Sequence, residues 1–461
     1  MLFITAMQPN PLLIRKYNLP VPRYTSYPSV PYWKHQVNKG QWEAAFSAQF
    51  DIQNHRKGIS LYIHLPFCES LCTYCGCNKK ITTNHKIEEE YLQALEKEWR
   101  RYRRLMAQTP VIREIHLGGG TPTFFSPANL QRLITWLLKT SILHPVHEFS
   151  IEGHPNNTTR EHLEVLHALG FRRISYGVQD IDPEVQRVIN RIQPIENLRR
   201  ATVQAREMGF KSVNYDLIYG LPLQTIASIE RTIMEVIALQ PDRIAFYSYA
   251  HVPWTSKGQR LFDESHLPAA EEKIQLYLKG KELLIANGYH DIGMDHFALP
   301  HDDLYKAKEN GKLYRSFMGY TTQASGLLLG LGVSAISDLG HAYAQNEKSL
   351  HDYYMAVNEG LLAVKKGYFL NEEDMAFRRY ILDISCKGAT TFHPKHLPLL
   401  ETYSFPLFDQ FLHDGLVEYD DKHVKLTSEG HFFIRNVCSA FDLYLQRNSR
   451  LGDKPAFSNA I

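Results

Sequence analysis

Short runs rich in β-branched and aromatic residues alternate with longer segments of helical spacing between about residue 60 and residue 250. The six runs read SLYIHLPF, EIHLGGG, EFSIEGHP, RRISYGVQD, SVNYDLIYG and RIAFYSYA. Such alternation predicts a parallel sheet with helices outside it, and six units form most of a TIM-type barrel. The expected fold class is α/β, a partial TIM-type (β/α)6 barrel, with its chemistry at the carboxyl ends of the strands.

The pattern divides the chain into three parts. We expect an N-terminal arm over residues 1–40, the barrel domain over 41–365 and a smaller, mainly helical C-terminal domain over 366–461. In the last part, a hairpin around VEYDDKHVKLT and a helix beginning at Ser428 resemble a winged helix. Because the segment mixes acidic with basic residues and lacks a basic recognition stripe, a lid or brace for the barrel is favoured over DNA binding.

Composition and charge narrow the function classes. The 461 residues are 44% apolar and carry a formal net charge of +2, so no whole-molecule field favours nucleic acid or an anionic membrane. One predicted helix carries Arg100, Arg101, Arg103 and Arg104, which are interpreted as a solvated face. The sequence has neither a membrane-spanning apolar run nor the order of a signal peptide, and a cytoplasmic protein is expected.

The candidate chemistry is concentrated in the sequence YIHLPFCESLCTYCGCNKK, where a loop with four cysteines directly follows the first predicted strand. Cys68, Cys72 and Cys75 form a C-x3-C-x2-C pattern in this loop, which suits an iron-sulfur cluster with one iron left open for a substrate. A zinc site with Cys77 or His64 as fourth ligand is the alternative, although no second cysteine pair is present. His64 is as well explained by packing or hydrogen bonding as by function.

Two other strand ends carry candidate residues. Gly118, Gly119 and Gly120 follow the second strand, where glycines let backbone amides approach a ligand, although a tight barrel turn explains them as well. Glu152 ends the third strand, where a carboxylate would face the barrel mouth, although a salt-bridge partner is the commoner role. These residues alone do not identify a ligand.

The ordered motifs resemble one family. The strings PRYTSYP, YIHLPFC…LCTYCGCN, GGGTPT, YGVQD, NYDLIYGLP, GMDHFA, GYTTQ and GVSAIS resemble those of the oxygen-independent coproporphyrinogen III oxidases, radical S-adenosylmethionine enzymes. The resemblance extends from about Tyr17 to Leu445. One difference is GHPNN after Glu152, where His154 and Asn156 replace an acidic and a basic residue and change the local charge.

The resemblance implies a 4Fe-4S cluster on Cys68, Cys72 and Cys75 and two molecules of S-adenosylmethionine. The positions that match the first molecule's site are Tyr62, the backbone at Tyr74, Gly119, Glu152 and Ile336. The positions that match the second molecule's site are Gly120, Thr121, Gln179, Arg191, Asp216 and Ala250. Cys77 is expected to lie beside the cluster or on the substrate side rather than to ligate it.

The implied reaction is the oxidative decarboxylation of two propionates of coproporphyrinogen III to the vinyl groups of protoporphyrinogen IX. The expected partners are this substrate and a small electron-transfer protein as reductant, with no nucleic acid and no membrane span, and a monomer is expected. Another radical S-adenosylmethionine reaction and a related haem-binding chaperone are the alternatives. The PRYTSYP run, Pro22–Pro28, favours the oxidase, and we expect it to take part in catalysis.

Overall fold

The computed structural model describes residues 10–34, 36–448 and 457. Its strands, β1 to β19, are Ile59–Leu65, Phe67–Cys68, Lys80–Ile81, Val111–Gly119, Ile142–Gly153, Phe171–Gln179, Ser212–Tyr219, Arg243–Ser248, His290–Gly293, His296–Ala298, Tyr314–Ser316, Gly319–Thr321, Leu328–Leu331, Ile336–Asp338, Ala342–Asn346, Val364–Phe369, Ala389–Thr391, Val417–Tyr419 and His423–Leu426. Its α-helices, α1 to α16, are Pro11–Tyr17, Lys39–Gln53, Ile87–Arg103, Pro127–Lys139, Arg160–Ala168, Pro183–Val188, Ile195–Glu207, Ile226–Ala238, Ala270–Ala286, Asp303–Glu309, Leu350–Asn358, Glu372–Lys387, Leu397–Leu399, Phe405–His413, Ile434–Ser439 and Leu443–Asn448. Short 3-10 helices lie at Val30–Tyr32, Pro122–Phe124, Lys257–Arg260, Glu264–His266, Pro394–His396 and Gly430–Phe433, and a π-helical turn lies at Leu400–Ser404.

One twelve-stranded sheet forms the centre of the molecule. Its order is β16-β15-β14-β13-β1-β4-β5-β6-β7-β8-β10-β9, and the strands from β13 to β8 in that order are parallel. β1, β4, β5, β6, β7 and β8 are the six predicted strands. They confirm the α/β, partial TIM-type fold class, and the sheet stays open because its order ends at β16 and β9.

β13 is a parallel strand that the six-strand prediction lacked. It pairs in parallel with β1, with Leu329 opposite Leu61. Its four residues are too few for a periodicity to be recognised, and they lie outside the region of strand and helix alternation. The strand covers the edge of β1 that would otherwise be unpaired.

The helices outside the sheet begin at local signals. Helix α4 follows Ser126, whose hydroxyl accepts from the amide of Asn129 at 3.3 Å, and Pro127 occupies its first turn. The buried face of α4 consists of Leu130, Leu133, Ile134 and Leu137. This spacing packs the helix against the sheet, which holds the strand ends in place.

Two hydrophobic clusters form most of the core. The first lies between the sheet and its helices and includes Trp42 and Phe46 of α2. The second packs arm residues Tyr24 and Tyr27 with C-terminal residues such as Phe441. The arm is therefore buried against the C-terminal segment, while the boundaries at residues 40 and 365 stay a prediction.

The C-terminal segment contains a small sheet of β17, β19 and β18. β18 and β19 pair antiparallel at the position of the predicted hairpin, and Val417 lies opposite Leu426. Across the described ranges, no helix combines the length and the apolar character that crossing a bilayer requires.

Candidate active site

A cavity of about 700 Å³ opens at the carboxyl ends of the parallel strands. Eleven predicted site residues line it: Cys68, Cys72, Tyr74, Cys75, Gly119, Gly120, Thr121, Glu152, Gln179, Arg191 and Asp216. They come from the cysteine loop, from four neighbouring strands and from the loop after α6. The sheet thus brings together residues that are up to 148 positions apart, from 68 to 216, at the edge where this fold class places its chemistry.

Three predicted residues lie outside the set that lines this cavity. Tyr62 lies in β1, and its ring is stacked on that of His116 with the ring centroids 6.0 Å apart. The carbonyl of Ala250 accepts at 3.1 Å from Gln259, whose amide also donates to the carbonyl of Tyr74 at 2.9 Å. Ile336 lies in β14, two strands from β1.

The cysteine loop is fixed by hydrogen bonds at its two ends and its middle. β2 and β3 pair in parallel and bring Cys68 opposite Ile81. The Cys75 carbonyl accepts from the Ser256 hydroxyl at 3.0 Å and from Lys79 Nζ at 3.0 Å. These bonds hold the backbone while the thiols face the cavity.

The three thiols have different polar neighbours. Thr121 Oγ1 lies 3.3 Å from the sulfur of Cys68, and Arg191 Nη1 lies 3.6 Å from the sulfur of Cys72. Burial raises the pKa of Cys68, whereas the neighbouring Cys77 thiol lowers the pKa of Cys75 to about 6. Thiolates are the form that binds iron, and two of the three sulfurs already have a donor beside them.

The donor set fits a cluster better than a single zinc ion. Within the described ranges, no three His, Cys, Asp or Glu side chains converge on one metal position, as a structural zinc site requires. The thiolates of a 4Fe-4S cluster bind different irons and need no such convergence. His64 is not available as a fourth ligand, because its Nδ1 contacts Tyr62 Oη at 3.0 Å and its Nε2 contacts the Asn78 carbonyl at 2.9 Å.

The glycine run at the end of β4 allows close backbone packing. A Cβ on Gly120 would lie 2.6 Å from the carbonyl carbon of Pro66, and one on Gly118 would lie 2.9 Å from a Glu152 oxygen. Gly119 has a φ of +118°, which favours glycine. Its amide donates to Glu152 at 3.3 Å, so the run both shapes the wall and orients the carboxylate.

Two carboxylates of the cavity have opposite pKa shifts. Burial tends to raise the pKa of Glu152, but His116 at 3.3 Å and the Gly119 amide outweigh it and hold this pKa below its usual value. Burial and the charge of Glu152 raise the pKa of Asp216 to about 6. The site therefore holds one firmly ionised carboxylate and one that gains a proton in mild acid.

Arg191 and Gln179 also line the cavity. Arg191 Nη2 donates to the Gly177 carbonyl at 2.5 Å, and its buried Nε has no hydrogen-bond partner among the described residues. Gln179 has a φ of +67°, a conformation that costs energy for a non-glycine residue and is concentrated at functional sites. A buried donor without a partner fits an anionic or carbonyl group of a ligand.

His154 and Asn156, at the GHPNN difference, also line the cavity. Burial and the nearby Arg191 lower the pKa of His154 to about 2, so this imidazole is neutral. Asn156 donates to the Ile192 carbonyl at 2.9 Å. This part of the wall is therefore uncharged.

Sequence reasoning missed His116 and Tyr247. His116 is two residues before Gly118, and strand alternation places both on one face, which was an available signal. Tyr247 lines the cavity from β8. Its run, RIAFYSYA, contains two tyrosines and offered no reason to prefer either.

Comparisons with known proteins agree with this geometry. The family model of the radical SAM superfamily matches residues 62–236. The oxygen-independent coproporphyrinogen III oxidases of Pseudomonas aeruginosa and Escherichia coli are 39% and 40% identical over 449 residues, 95% of this chain and 96% of each relative. The solved structure of coproporphyrinogen III oxidase (HemN) from Escherichia coli, a radical SAM enzyme, has a TM-score of 0.88 and 38% identity, and the match covers 95% of this chain and all of that chain.

The similarity extends over nearly the whole length of both chains, so it concerns the arm and the C-terminal segment as well as the barrel. Radical SAM enzymes use a 4Fe-4S cluster and S-adenosylmethionine, and the three cysteines of the cavity provide a fitting donor set. The chain belongs to the oxygen-independent coproporphyrinogen III oxidase family of radical SAM enzymes.

Proposed function

We propose that this protein converts two propionates of coproporphyrinogen III to the vinyl groups of protoporphyrinogen IX, without oxygen, in haem biosynthesis. The observation that carries the proposal is that three cysteines line one cavity together with Glu152, Arg191 and Asp216. The cluster and S-adenosylmethionine, when bound, supply a radical that can remove hydrogen from an unactivated carbon. The protein's own residues hold the reactants in position and keep water out.

Cys68, Cys72 and Cys75 would hold the cluster, and Glu152 would bind the ammonium group of a first S-adenosylmethionine. Its pKa below the usual value supports an ionised carboxylate there. Gly119 would contribute backbone contacts because it has no side chain in the way. Tyr62, Tyr74 and Ile336 are assigned to the same molecule.

Arg191 and Asp216 would anchor a second S-adenosylmethionine, together with Gly120, Thr121, Gln179 and Ala250. The buried Nε of Arg191 lacks a partner within the described residues and can donate to a carboxylate. Asp216 can accept from an ammonium or a hydroxyl group. The cavity of about 700 Å³ supports the proposal that both cosubstrates are bound in it.

A small acidic electron carrier is proposed as the reductant. A groove of about 300 Å³ beside the cysteine loop is lined by Lys79, Lys80, Lys348 and His351, which suits an acidic partner. We further propose a cytoplasmic location, since the six cysteines are free thiols, and a monomeric protein.

Anaerobic incubation of the reconstituted protein with coproporphyrinogen III, S-adenosylmethionine and a reductant tests the function. We expect protoporphyrinogen IX, measured as the oxidised porphyrin, together with methionine and 5'-deoxyadenosine. The Cys72→Ser variant, which lacks a ligand, is the matched control and should form none of these products. Cleavage of S-adenosylmethionine without any change in the porphyrinogen would contradict the proposal and favour a different radical reaction.

A further inference from the structure

Two buried arginines hold the backbone of the N-terminal arm. Arg435 Nη2 donates to the Val21 carbonyl at 2.6 Å, and Arg315 Nη2 donates to the Arg23 carbonyl at 3.0 Å. Arg23 itself donates from Nη2 to the Ser248 carbonyl at 2.8 Å, at the end of β8. Three guanidinium groups from distant parts of the chain therefore meet where the arm reaches the barrel.

This group of arginines adjoins the active-site cavity. The guanidinium carbon of Arg23 lies 5.7 Å from the ring centroid of Tyr247. Tyr247 lines the large cavity and also a smaller one of about 110 Å³ in the barrel interior, and Glu152 and Asp216 lie on both walls. Arg23 is only partly buried, and its contact with Tyr247 places it next to the cavity wall.

Positive charge is in excess at this point. Within the described ranges, neither Arg23 nor Arg315 has a carboxylate oxygen within 4.0 Å. Arg315 is 6% exposed, and its Nε and Nη1 are buried without a hydrogen-bond partner. Lys273 adds a fourth basic group, and burial together with Arg23 and Arg435 lowers its pKa to about 8.

One carboxylate, that of Asp295, is electrostatically coupled to all three arginines. It follows Met294 in a turn between β9 and β10, and both residues have positive φ values, +35° and +74°. Two consecutive non-glycine residues in this conformation are costly, and the turn nevertheless brings Asp295 to the arginines. Within the described residues Asp295 lies beyond 4.0 Å from both Arg23 and Arg315, and the buried, unpartnered donors of Arg315 are unfavourable until an anion reaches them.

We propose that Arg23 and Arg315 bind a propionate carboxylate of the porphyrinogen, with Arg435 and Asp295 positioning them. A guanidinium presents parallel N–H groups that match a carboxylate, and the unpartnered Nε and Nη1 of Arg315 are such donors. The inference rests on the proposed function, since coproporphyrinogen III brings four carboxylates into the cavity. The N-terminal arm would thereby take part in recognising the substrate.

The test measures anaerobic equilibrium binding of coproporphyrinogen III and of its tetramethyl ester, which has no charged carboxylate. Arg23→Gln should weaken binding of the tetra-acid by roughly tenfold to a hundredfold, the usual effect of losing a charge-assisted hydrogen bond. It should leave binding of the ester unchanged. Arg23→Lys keeps the positive charge but lacks the parallel N–H groups of a guanidinium. Its affinity for the tetra-acid should therefore lie between those of Arg23→Gln and the wild type.

Arg104→Gln, a change at an exposed arginine at the end of α3, is the matched control and should bind both compounds like the wild type. Arg315→Lys tests the second arginine in the same assay and should likewise weaken binding of the tetra-acid but not of the ester. The iron content of each reconstituted variant shows whether it is folded. If Arg23→Gln binds both compounds equally more weakly, or binds both as the wild type does, the inference is overturned. The proposed function still stands in that case if the wild type converts the substrate. A wild-type protein that binds no coproporphyrinogen III would overturn the proposed function and this inference together.

Discussion

Gly120 and Pro66 pack backbone against backbone, so that a Cβ on Gly120 would lie 2.6 Å from the Pro66 carbonyl carbon. The Gly120 amide also donates to the Leu65 carbonyl at 2.8 Å. Pro66 precedes Cys68 by two residues. The end of β4 and the start of the cluster loop are thus fixed against each other.

We therefore expect Gly120→Ala to impair cluster loading. The added methyl group meets backbone rather than a flexible side chain, so the start of the loop must shift. Iron and sulfide per chain after reconstitution should fall severalfold. Gly76→Ala is the matched control in the same loop, because a Cβ there meets nothing within 4 Å, and it should load normally. Equal loading of the two variants would contradict the packing argument.

The cysteine assignments predict different effects of four substitutions. Cys68→Ser, Cys72→Ser and Cys75→Ser should each lose the 4Fe-4S cluster, because we assign these three thiolates to it as its protein ligands. Cys77→Ser should retain it, since Cys77 is an exposed residue beside Cys75. Iron and sulfide analysis of the reconstituted variants decides this. A cluster that is lost only in Cys77→Ser would reverse the assignment.

Removing either anchor of the second cosubstrate should change the stoichiometry of binding. Asp216→Ala and Arg191→Ala each remove a partner of a charged ligand group, at a cost of roughly 2 to 5 kcal/mol. Binding should then approach one S-adenosylmethionine per chain, with normal iron content. Two molecules bound at wild-type affinity would remove the basis for both roles.

Asp216 also predicts a pH-dependent stability. Its pKa is about 6 in the folded protein, against 3.8 as the usual value, so the folded state keeps a proton that the unfolded state releases between these values. The free energy of unfolding therefore falls as pH rises from about 4 to 6. Asp216→Asn has no titrating group at this position, so its free energy of unfolding does not undergo this decrease. The difference in the free energy of unfolding, variant minus wild type, should therefore rise by about 1 to 3 kcal/mol between about pH 4 and pH 6.

Denaturant titrations of the cluster-free proteins at about pH 4 and pH 7 measure this difference. The amide oxygen introduced by Asp216→Asn keeps an acceptor for the Ser175 hydroxyl, which lies 3.1 Å from the carboxylate in the wild type. Its NH2 group replaces the oxygen that accepts from Asn214 at 2.9 Å, a loss that is the same at both pH values, so only the change with pH is compared. A difference between the two proteins that does not change with pH would show that the Asp216 pKa is not raised.

The arm should contribute to stability as well as to recognition. Tyr24 Oη donates to Asp442 at 3.2 Å in a buried contact, and Tyr24→Phe should lower the free energy of unfolding by about 1 kcal/mol. Tyr354→Phe is the matched control, because within the described structure its hydroxyl has no hydrogen bond, and it should have little effect. Deletion of residues 1–30 removes Ile14, Tyr17, Tyr24 and Tyr27 from the core and should cost several kcal/mol.

The fold and the cysteine loop could be predicted because their signals are local, whereas cavity residues such as Gln179, Arg191 and Asp216 were assigned only through the family resemblance. The six strands follow from alternation, and Cys68, Cys72 and Cys75 lie in one short segment. The His116 contact with Glu152 depends on parallel register, and the meeting of Arg23, Arg315 and Arg435 depends on contacts between residues more than 290 positions apart. Periodicity carries no information about such distant pairs, so they were found only in the structure.

The contact between Arg435 and Val21 joins residues 414 positions apart in sequence. During synthesis, nearly the whole chain must leave the ribosome before this contact can form, whereas the cysteine loop emerges early. The contact of the arm with Tyr247 therefore forms only after the cysteine loop and all the parallel strands have been synthesised.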